Sequence, residues 1–488
     1  MSGKTDRQAS QASDDEILDG VGRHLAGVET LVPDAPAWRG TTSAGDVGGR
    51  VRVRGRVQFV LAPLILVLAL VALAVSGGLR QSGPGGPTPK PTAEQPTARI
   101  LPAPTGETCP SDTSASVLLD LGMACLGTQV GGVTRSGSGM VGVILPDATT
   151  SARYTSYDPP YLVQAFKTAG YADDQYRIDN AADADGQVSI ARADIRAGAK
   201  VLVVDPIDID AGRQIQSLAA AAGIAMIAYD RPIFAGASTY YVGFDNDQIG
   251  RLIGQGFSDC VSEWNVASPR VFELDGGQDV DPDAASMAAG YNDVLWHQHV
   301  PNASSLPPGT TNDTNDSGYT LVGEEFVPGW MPDKAGSIFG TAYAAHPEIN
   351  ATVEASDGLA NAVIQVLKAR GLSPRTVPTT GQDATLQGLA NILEGWQCGT
   401  VYKPIFLEAE AAVVVATYLR AGQEPPVAMV NGAATDPTSS ASEPAVLLAP
   451  LWVNAANMES TVISDGLVGA SDLCAAVGAA VCSQYGIR

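Results

Sequence analysis

Along the C-terminal part of the chain, short apolar runs end in polar and aromatic side chains that could hold a ligand. VGVIL at 141–145 leads to Arg153 and Tyr154, AMIAY at 225–229 to Asp230 and Arg231, and YYVGF at 240–244 to Asp245 and Asn246. RVFEL at 270–274 leads to Asp275, two glycines, and then Asp279, Asp281 and Asp283, while the run at 321–326 leads to Gly329 and Trp330. ATVEA at 351–355 is followed by Ser356 and Asp357, VPTTG at 377–381 by Gln382 and Asp383, and the run at 400–402 by Lys403. Carboxylates, guanidinium groups, an ammonium and aromatic rings together suit a polyhydroxylated ligand. Its hydroxyls donate and accept at once, charged planar groups satisfy several of them in fixed geometry, and aromatic faces pack on its C–H faces. A single one of these aspartates has a plainer explanation as a helix N-cap. Their recurrence after run upon run points to a site.

The elements that must position these residues are legible between them. YLVQAFKTAG, GRQIQSLAAAAG and GLANAVIQVLKARG are amphipathic, and the last two end in Gly223 and Gly371, as helices often do. Strand–helix alternation predicts βαβ units and parallel sheet. The span from residue 138 to 488 is too long for one small sheet, so two lobes are expected. In open α/β sheets, ligands lie beyond the carboxyl ends of the strands, where the side chains above fall.

Other motifs carry less. Gly137-Ser-Gly139-Met-Val-Gly142 spells G-x-G-x-x-G, but it precedes a strand instead of opening a helix, which excludes a dinucleotide fingerprint. Asp313, Asn315, Ser317 and Glu324 have the spacing of an EF-hand-like loop and make a weak calcium candidate. A strand follows instead of a helix, and an Asn/Asp/Gly turn explains the composition. Asp279, Asp281 and Asp283 form a D-x-D-x-D that could also attract a cation. Paired carboxylates could build a glycosidase, but one must be held protonated beside an apolar wall. No G-x-S-x-G elbow is present. A binding protein without catalysis or cofactor is the expectation.

Charge and hydropathy set the compartment. With 29 basic against 52 acidic residues the net charge is −23, which argues against nucleic acid as a partner. The acidic charge lies beyond the first 80 residues, so that part of the chain tolerates neutral or cationic ligands better than anions. Mean hydropathy of +0.06 excludes a polytopic membrane protein. Phe59 to Val75 is uncharged and apolar, with Arg50, Arg52, Arg54 and Arg56 before it and only Arg80 soon after. This predicts one transmembrane helix with a cytoplasmic N-terminus. A cleaved signal at Ala72-Leu-Ala74 is the alternative, but the segment before it is too long. All six cysteines follow the apolar run, so disulfides are expected, with Cys109–Cys125 and Cys474–Cys482 as the local pairings. Residues 82–104, rich in proline and glycine, predict an extended spacer.

The blocks AYDRPI at 228–233, FDN at 244–246, GGQDVDPDA at 276–284, VPGWMPDKA at 327–335, TTGQDA at 379–384 and TVYKPI at 400–405 follow a known order. From residue 140 to about 421 the chain resembles the type I periplasmic sugar-binding proteins, and within them most the D-xylose-binding branch. The resemblance implies two Rossmann-like lobes joined by a three-stranded hinge, closing on one monosaccharide such as a xylose-like pentose. It also implies an ABC permease as partner, in ATP-driven import. By position it marks Arg153, Tyr154, Asp230, Arg231, Asp283, Trp330, Asp357, Asp383 and Lys403 as ligand-binding, with Asp245 and Asn246 at the hinge. Tyr154 stands where Trp is usual, Asp283 and Ser356 where Asn is common, and Pro282 replaces another Asn.

The expected division is a cytoplasmic segment 1–56, a transmembrane helix 57–78, a linker and cysteine-containing extension 79–137, and a monomeric bilobal domain 138–488. Lobe I would take about 138–263 and 403–430, and lobe II about 264–402 and 431–488. A binding lobe used for sensing, with residues 1–56 relaying occupancy, is the alternative to transport.

Overall fold

The computed structural model describes residues 125–148, 151, 153–234, 239–296, 315–436 and 439–488, all within the unit Pro91–Arg488. The apolar run 59–75, the spacer and Cys109 lie outside the described residues. Among those described, no helix is long and apolar enough to cross a membrane.

The described residues open with α1 (Leu126–Ser136) and β1 (Met140–Pro146), then α2 (Arg153–Ser156), α3 (Asp158–Thr168), β2 (Tyr176–Ala181) and α4 (Ala184–Ala197). There follow β3 (Ala199–Val204), α5 (Ile209–Ala222), β4 (Ala225–Tyr229), β5 (Thr239–Phe244) and α6 (Asn246–Glu263). Next come β6 (Arg270–Asp275), α7 (Asp283–Trp296), β7 (Thr320–Phe326), α8 (Pro332–Ala345), β8 (Ala351–Glu354) and α9 (Asp357–Ala369). The last elements are α10 (Leu386–Glu394), β9 (Thr400–Tyr402), α11 (Ile405–Arg420), β10 (Gly432–Thr435), β11 (Ser442–Leu448), β12 (Leu451–Val453), α12 (Ala470–Val477) and α13 (Ala479–Gln484). Of the short apolar runs singled out beyond residue 140, all are strands except 377–381, which is extended backbone outside any strand. Asp183 and Asp208 cap α4 and α5 by accepting from Gly186 N and Ala211 N, and Gly223 closes α5 at φ 64°.

The first sheet has seven strands in the order β10-β11-β5-β4-β3-β1-β2. All its neighbours pair in parallel except the β10–β11 hairpin. Leu145, Val201, Val203 and Ile227 on its strands pack with Tyr161, Leu162 and Phe166 of α3 and with the almost wholly buried α11. The second lobe carries β7-β6-β8 in parallel and β9 paired antiparallel with β12. Residues 378–383 lie between these groups: Thr352 N donates to Pro378 O at 2.9 Å, and Val401 N to Gly381 O at 2.9 Å.

The lobe boundaries differ from the expected ones at three places. Helix α6, expected in lobe I, packs on α7, β8, β9 and β12 of the second lobe, so the first crossing falls at Asp245–Asn246. Strands β10 and β11, expected in lobe II, complete the first sheet, because Ala445, Val446 and Leu448 are buried beside β5. The chain therefore crosses three times: at Asp245, at Lys403, and between Leu448 and Leu451. Helix α1, expected to be part of an extension, belongs to the first lobe. Its Leu126 and Val130 are buried, and Arg420 Nη1 donates to Thr134 O at 3.1 Å.

Two disulfides join described residues, Cys260–Cys398 and the expected Cys474–Cys482, and Cys125 is also disulfide-bonded. The pairing expected for Cys109 lies outside the described residues. Chain entropy scales with the loop closed, here 138 and 8 residues. The double change Cys260→Ser with Cys398→Ser should therefore cost up to about 5 kcal/mol of stability, against about 2.5 kcal/mol for Cys474→Ser with Cys482→Ser. Urea unfolding of the two variants checks the order.

Candidate functional site

The carboxyl ends of both sets of parallel strands face one cavity of about 160 Å³. Its walls include Arg153, Tyr154, Asp230 and Arg231 from the first lobe, Asp281, Asp283, Trp330 and Asp383 from the second, and Asn246 and Lys403 from the crossings. An apolar cavity of about 150 Å³ accommodates benzene, so a single six-membered ring fits here. A second cavity of about 240 Å³ adjoins it behind Arg153, Asp383 and Lys403. Tyr157, Leu386, Ile405 and Leu467 make that wall greasy. The smaller cavity concentrates the hydrogen-bonding groups and is the candidate site.

Arg153 opens α2 and is almost fully buried. Its Nε and Nη2 donate to the two oxygens of Asp158 at 2.9 and 2.8 Å, Nη2 also to Glu408 Oε2 at 2.6 Å, and Nη1 to Asp230 Oδ1 at 2.7 Å. Tyr229 donates to Asp158 at 2.7 Å, so that carboxylate is held on both sides. Asp230 also accepts from Tyr154 Oη at 3.0 Å and from Lys403 Nζ at 3.3 Å. Burial alone would raise the Asp230 carboxyl, but Arg153, Lys403 and Arg231 outweigh it and hold it well below the ordinary range. Burial likewise opposes the Lys403 charge, and Asp230 and Asp383 (3.6 Å) reverse that. Glu408, desolvated in the apolar α11, is pushed up to about 8 although Arg153 pulls it down.

Arg231 donates to the carbonyls of Pro206 and Ile207 and lies 3.5 Å from Asp281. Both guanidinium groups stand 5.6 Å from the Tyr154 ring centre. Trp330 rides on the turn Pro328–Trp330, whose Gly329 N donates to Asp279 Oδ1 at 2.8 Å. The indole lies directly on Gly276 and Gly277 after β6, where any Cβ would overlap its ring. That close approach is why the β6 loop reads Gly-Gly. Three wall residues, Asp230, Trp330 and Asp383, have φ of 61°, 58° and 94°. Left-handed backbone costs about 1–2 kcal/mol each, and such outliers gather at ligand sites.

Eight of the nine side chains expected to bind ligand line this cavity. The exception is Asp357, which is fully buried behind the wall. It accepts from Thr385 N at 2.7 Å, Thr385 Oγ1 at 3.0 Å and Gln397 Nε2 at 2.8 Å, so it clamps the loop that carries Asp383. Its neighbour Ser356 caps α9 and reaches the cavity in its place. The expected hinge residues sit at the first crossing. Asp245 caps α6 and its N–H donates to Leu448 O at 3.2 Å, tying the first crossing to the third, and Asn246 also lines the cavity.

The three aspartates of D-x-D-x-D go separate ways: Asp279 holds the Trp330 turn, Asp281 faces Arg231, and Asp283 faces the cavity. They do not converge on a cation. Asn315 spends its Oδ1 on the backbone of Ser317 and Tyr319, and Glu324 turns to Asn292 Nδ2 at 3.0 Å. With these two committed elsewhere, the calcium spacing has no common centre; Asp313 lies outside the described residues. Asp281 and Gln382, which stand among the strand-end residues but outside the nine that the resemblance marks, are wall residues as well, and Asp158, Asp205 and Glu408 behind the wall escape sequence reasoning. Glu408 did leave a signal, a carboxylate inside the apolar run IFLEAEAAVVV.

A two-lobed cleft lined by a charge lattice and aromatic rings defines a solute-binding protein of the type I α/β architecture. The family of the periplasmic binding protein domain matches residues 141–424, more than half of the chain, and the chain belongs to that family, whose members bind solutes and are not enzymes. A D-xylose-binding periplasmic protein of Escherichia coli (strain K12) is 36% identical over 282 residues, which cover 57% of this chain and 77% of the relative. The multiple sugar-binding periplasmic protein SbpA of Azospirillum brasilense is 28% identical over 361 residues, 73% of this chain and 97% of the relative. The crystal structure of a carbohydrate transporter solute binding protein from Chloroflexus aurantiacus, in complex with D-glucose, shares the fold. Its TM-score is 0.56 at 23% identity, over 69% of this chain and 98% of that one.

Burial pushes three further carboxyls up: Glu354 to about 8, Asp357 to about 7 and Glu443 to about 7. Each binds a proton in the folded state that the unfolded chain releases near its ordinary pKa. The stability tied to that proton is complete below the ordinary range and is lost as pH rises through the folded value. Asp230 works oppositely, but its contribution changes only below the ordinary range. Tm should therefore fall between pH 5 and pH 8, and Glu354→Gln should flatten the fall, as followed by thermal melts across that range.

Proposed function

We propose that this protein captures a monosaccharide between its lobes and delivers it to an ABC permease, and that a xylose-like pentose or a related sugar is the ligand. The observation that carries this is the lattice Arg153–Asp230–Lys403, whose charges are already paired with one another at the edge of a ring-sized cavity. A neutral polyol can add hydrogen bonds to such a lattice without bringing in a charge to compensate. The xylose-binding relative and the multiple-sugar-binding relative support the class of ligand.

In this reading the ring lies between Tyr154 and Trp330, with Asp230, Arg231, Asp283, Asp383 and Lys403 around its edge and Asp245 and Asn246 at the hinge. The apolar run Phe59–Val75 and its flanking arginines support a single-pass anchor that leaves the binding domain extracytoplasmic.

Thermal denaturation of the full-length protein with pentoses, hexoses and polyols tests the class. A ligand at 100 times its Kd adds about 2.7 kcal/mol of stability, and no shift with any of them would refute it. With the sugar found, Asp230→Ala and Arg231→Ala should each weaken binding at least tenfold by calorimetry, since each strands a buried partner at about 1–3 kcal/mol. Trp330→Ala should weaken binding through lost contact area with the order of preferred sugars unchanged. Wild-type affinity in all three variants would place the site elsewhere.

A further inference from the structure

The carboxylates around the cavity are not all balanced. Arg153, Arg231 and Lys403 are the cations in its wall, against Asp230, Asp281, Asp283 and Asp383. Asp158, Asp205 and Glu408 stand directly behind two of those cations. Asp230 is paired with Arg153 and Lys403, Asp281 with Arg231, and Asp383 with Lys403. Asp283 is 7% exposed and has no cation within 4.0 Å among the described residues.

Its hydrogen bonding is equally thin. Tyr241 Oη lies 3.4 Å from Asp283 Oδ2 but only 2.9 Å from the carbonyl of Asp230. The hydroxyl has one hydrogen, and the shorter contact takes it. Asn246 points its Nδ2 at Tyr241 Oη and the Phe244 carbonyl, not at Asp283. A buried carboxylate in a ligand cavity is thus left with one long contact to a protein hydroxyl, and burial, Asp281 and Asp230 raise it well above its ordinary value although the more distant Lys403 and Arg231 pull it down. A hydroxyl of the ligand would supply one hydrogen bond there; an ammonium would supply the bond and the missing charge.

We propose that the ligand is a sugar bearing an amino group, held as an ammonium against Asp283. This rests on the sugar-binding reading, keeps the paired Arg153–Asp230–Lys403 lattice as its polyol-binding part, and replaces a wholly neutral ligand with one that brings a single positive charge to Asp283. The acidic surface of the chain beyond residue 80 works in the same direction, since it draws cations toward the cleft and repels anions.

Calorimetry on the full-length protein tests it, with D-xylose, D-glucose, their 2-, 3- and 4-amino-deoxy derivatives, and the N-acetyl form of each amine. The expected result is that one amine binds at least tenfold tighter than both its parent sugar and its N-acetyl form, the ratio a buried charge-assisted hydrogen bond supports. Asp283→Asn, checked for folding by its thermal melt, should bring the amine-to-parent ratio to about one. A parent sugar that binds as tightly as every amine overturns the inference and leaves the sugar reading standing, as does an unchanged ratio in Asp283→Asn. If no sugar binds, with or without an amine, the sugar reading falls and this inference with it. The wild-type ratio decides alone if Asp283→Asn does not fold.

Discussion

The guanidinium of Arg153 joins three carboxylates that arrive from separate parts of the fold. Asp158 comes from the next helix, Asp230 from the end of the fourth strand, and Glu408 from the helix that follows the second crossing. No one of these could be buried alone, because an isolated charge in a low-dielectric interior costs several kcal/mol. Arg153 donates to all three, and that geometry also sets where Asp230 presents its remaining lone pairs. The cleft's recognition surface is therefore the outer layer of a buried ionic structure. Such a lattice contributes little net stability compared with apolar packing, but it permits few alternative arrangements.

Tyr154 and Lys403 extend the same logic toward the ligand. Each bonds Asp230, one from the first lobe and one from a crossing strand, so the position of Asp230 reports on both lobes at once. Asp357 does the corresponding work on the other side, clamping Thr385 and Gln397 beneath the loop that carries Asp383. Recognition groups at the surface are thus held by polar groups one layer down, as a precise site requires.

Much of this was legible from residue types. Central parallel strands are buried on both faces and read as continuous apolar runs, which is why VGVIL, VLVV and AMIAY were recognisable. The edge strand β2, YRIDNA, is half exposed and pairs on one side alone, so no such run marks it. Strands β10 and β11 were assigned to the wrong lobe because their partner β5 lies about 200 residues away, a pairing that local pattern does not encode. The wall residues were found by type and block, but Asp357 looked like one of them. Whether an aspartate at the first position of a helix faces the cleft or the interior depends on its rotamer and on Gly381 and Gly388 making room for it, and neither is written in the motif.

The Cys260–Cys398 bond gives the second lobe a property under mechanical load. The chain enters that lobe at Asn246 and leaves it after Tyr402, and the disulfide bridges the two arms of this excursion near its base. A pull transmitted along the polypeptide passes from residue 260 to residue 398 through one covalent bond and bypasses the 138-residue loop, roughly 450 Å of extended chain. The half of the cleft that carries Asp283, Trp330 and Asp383 thus lies off the load path. Tension on the backbone would strip the first sheet while most of the second lobe kept its fold.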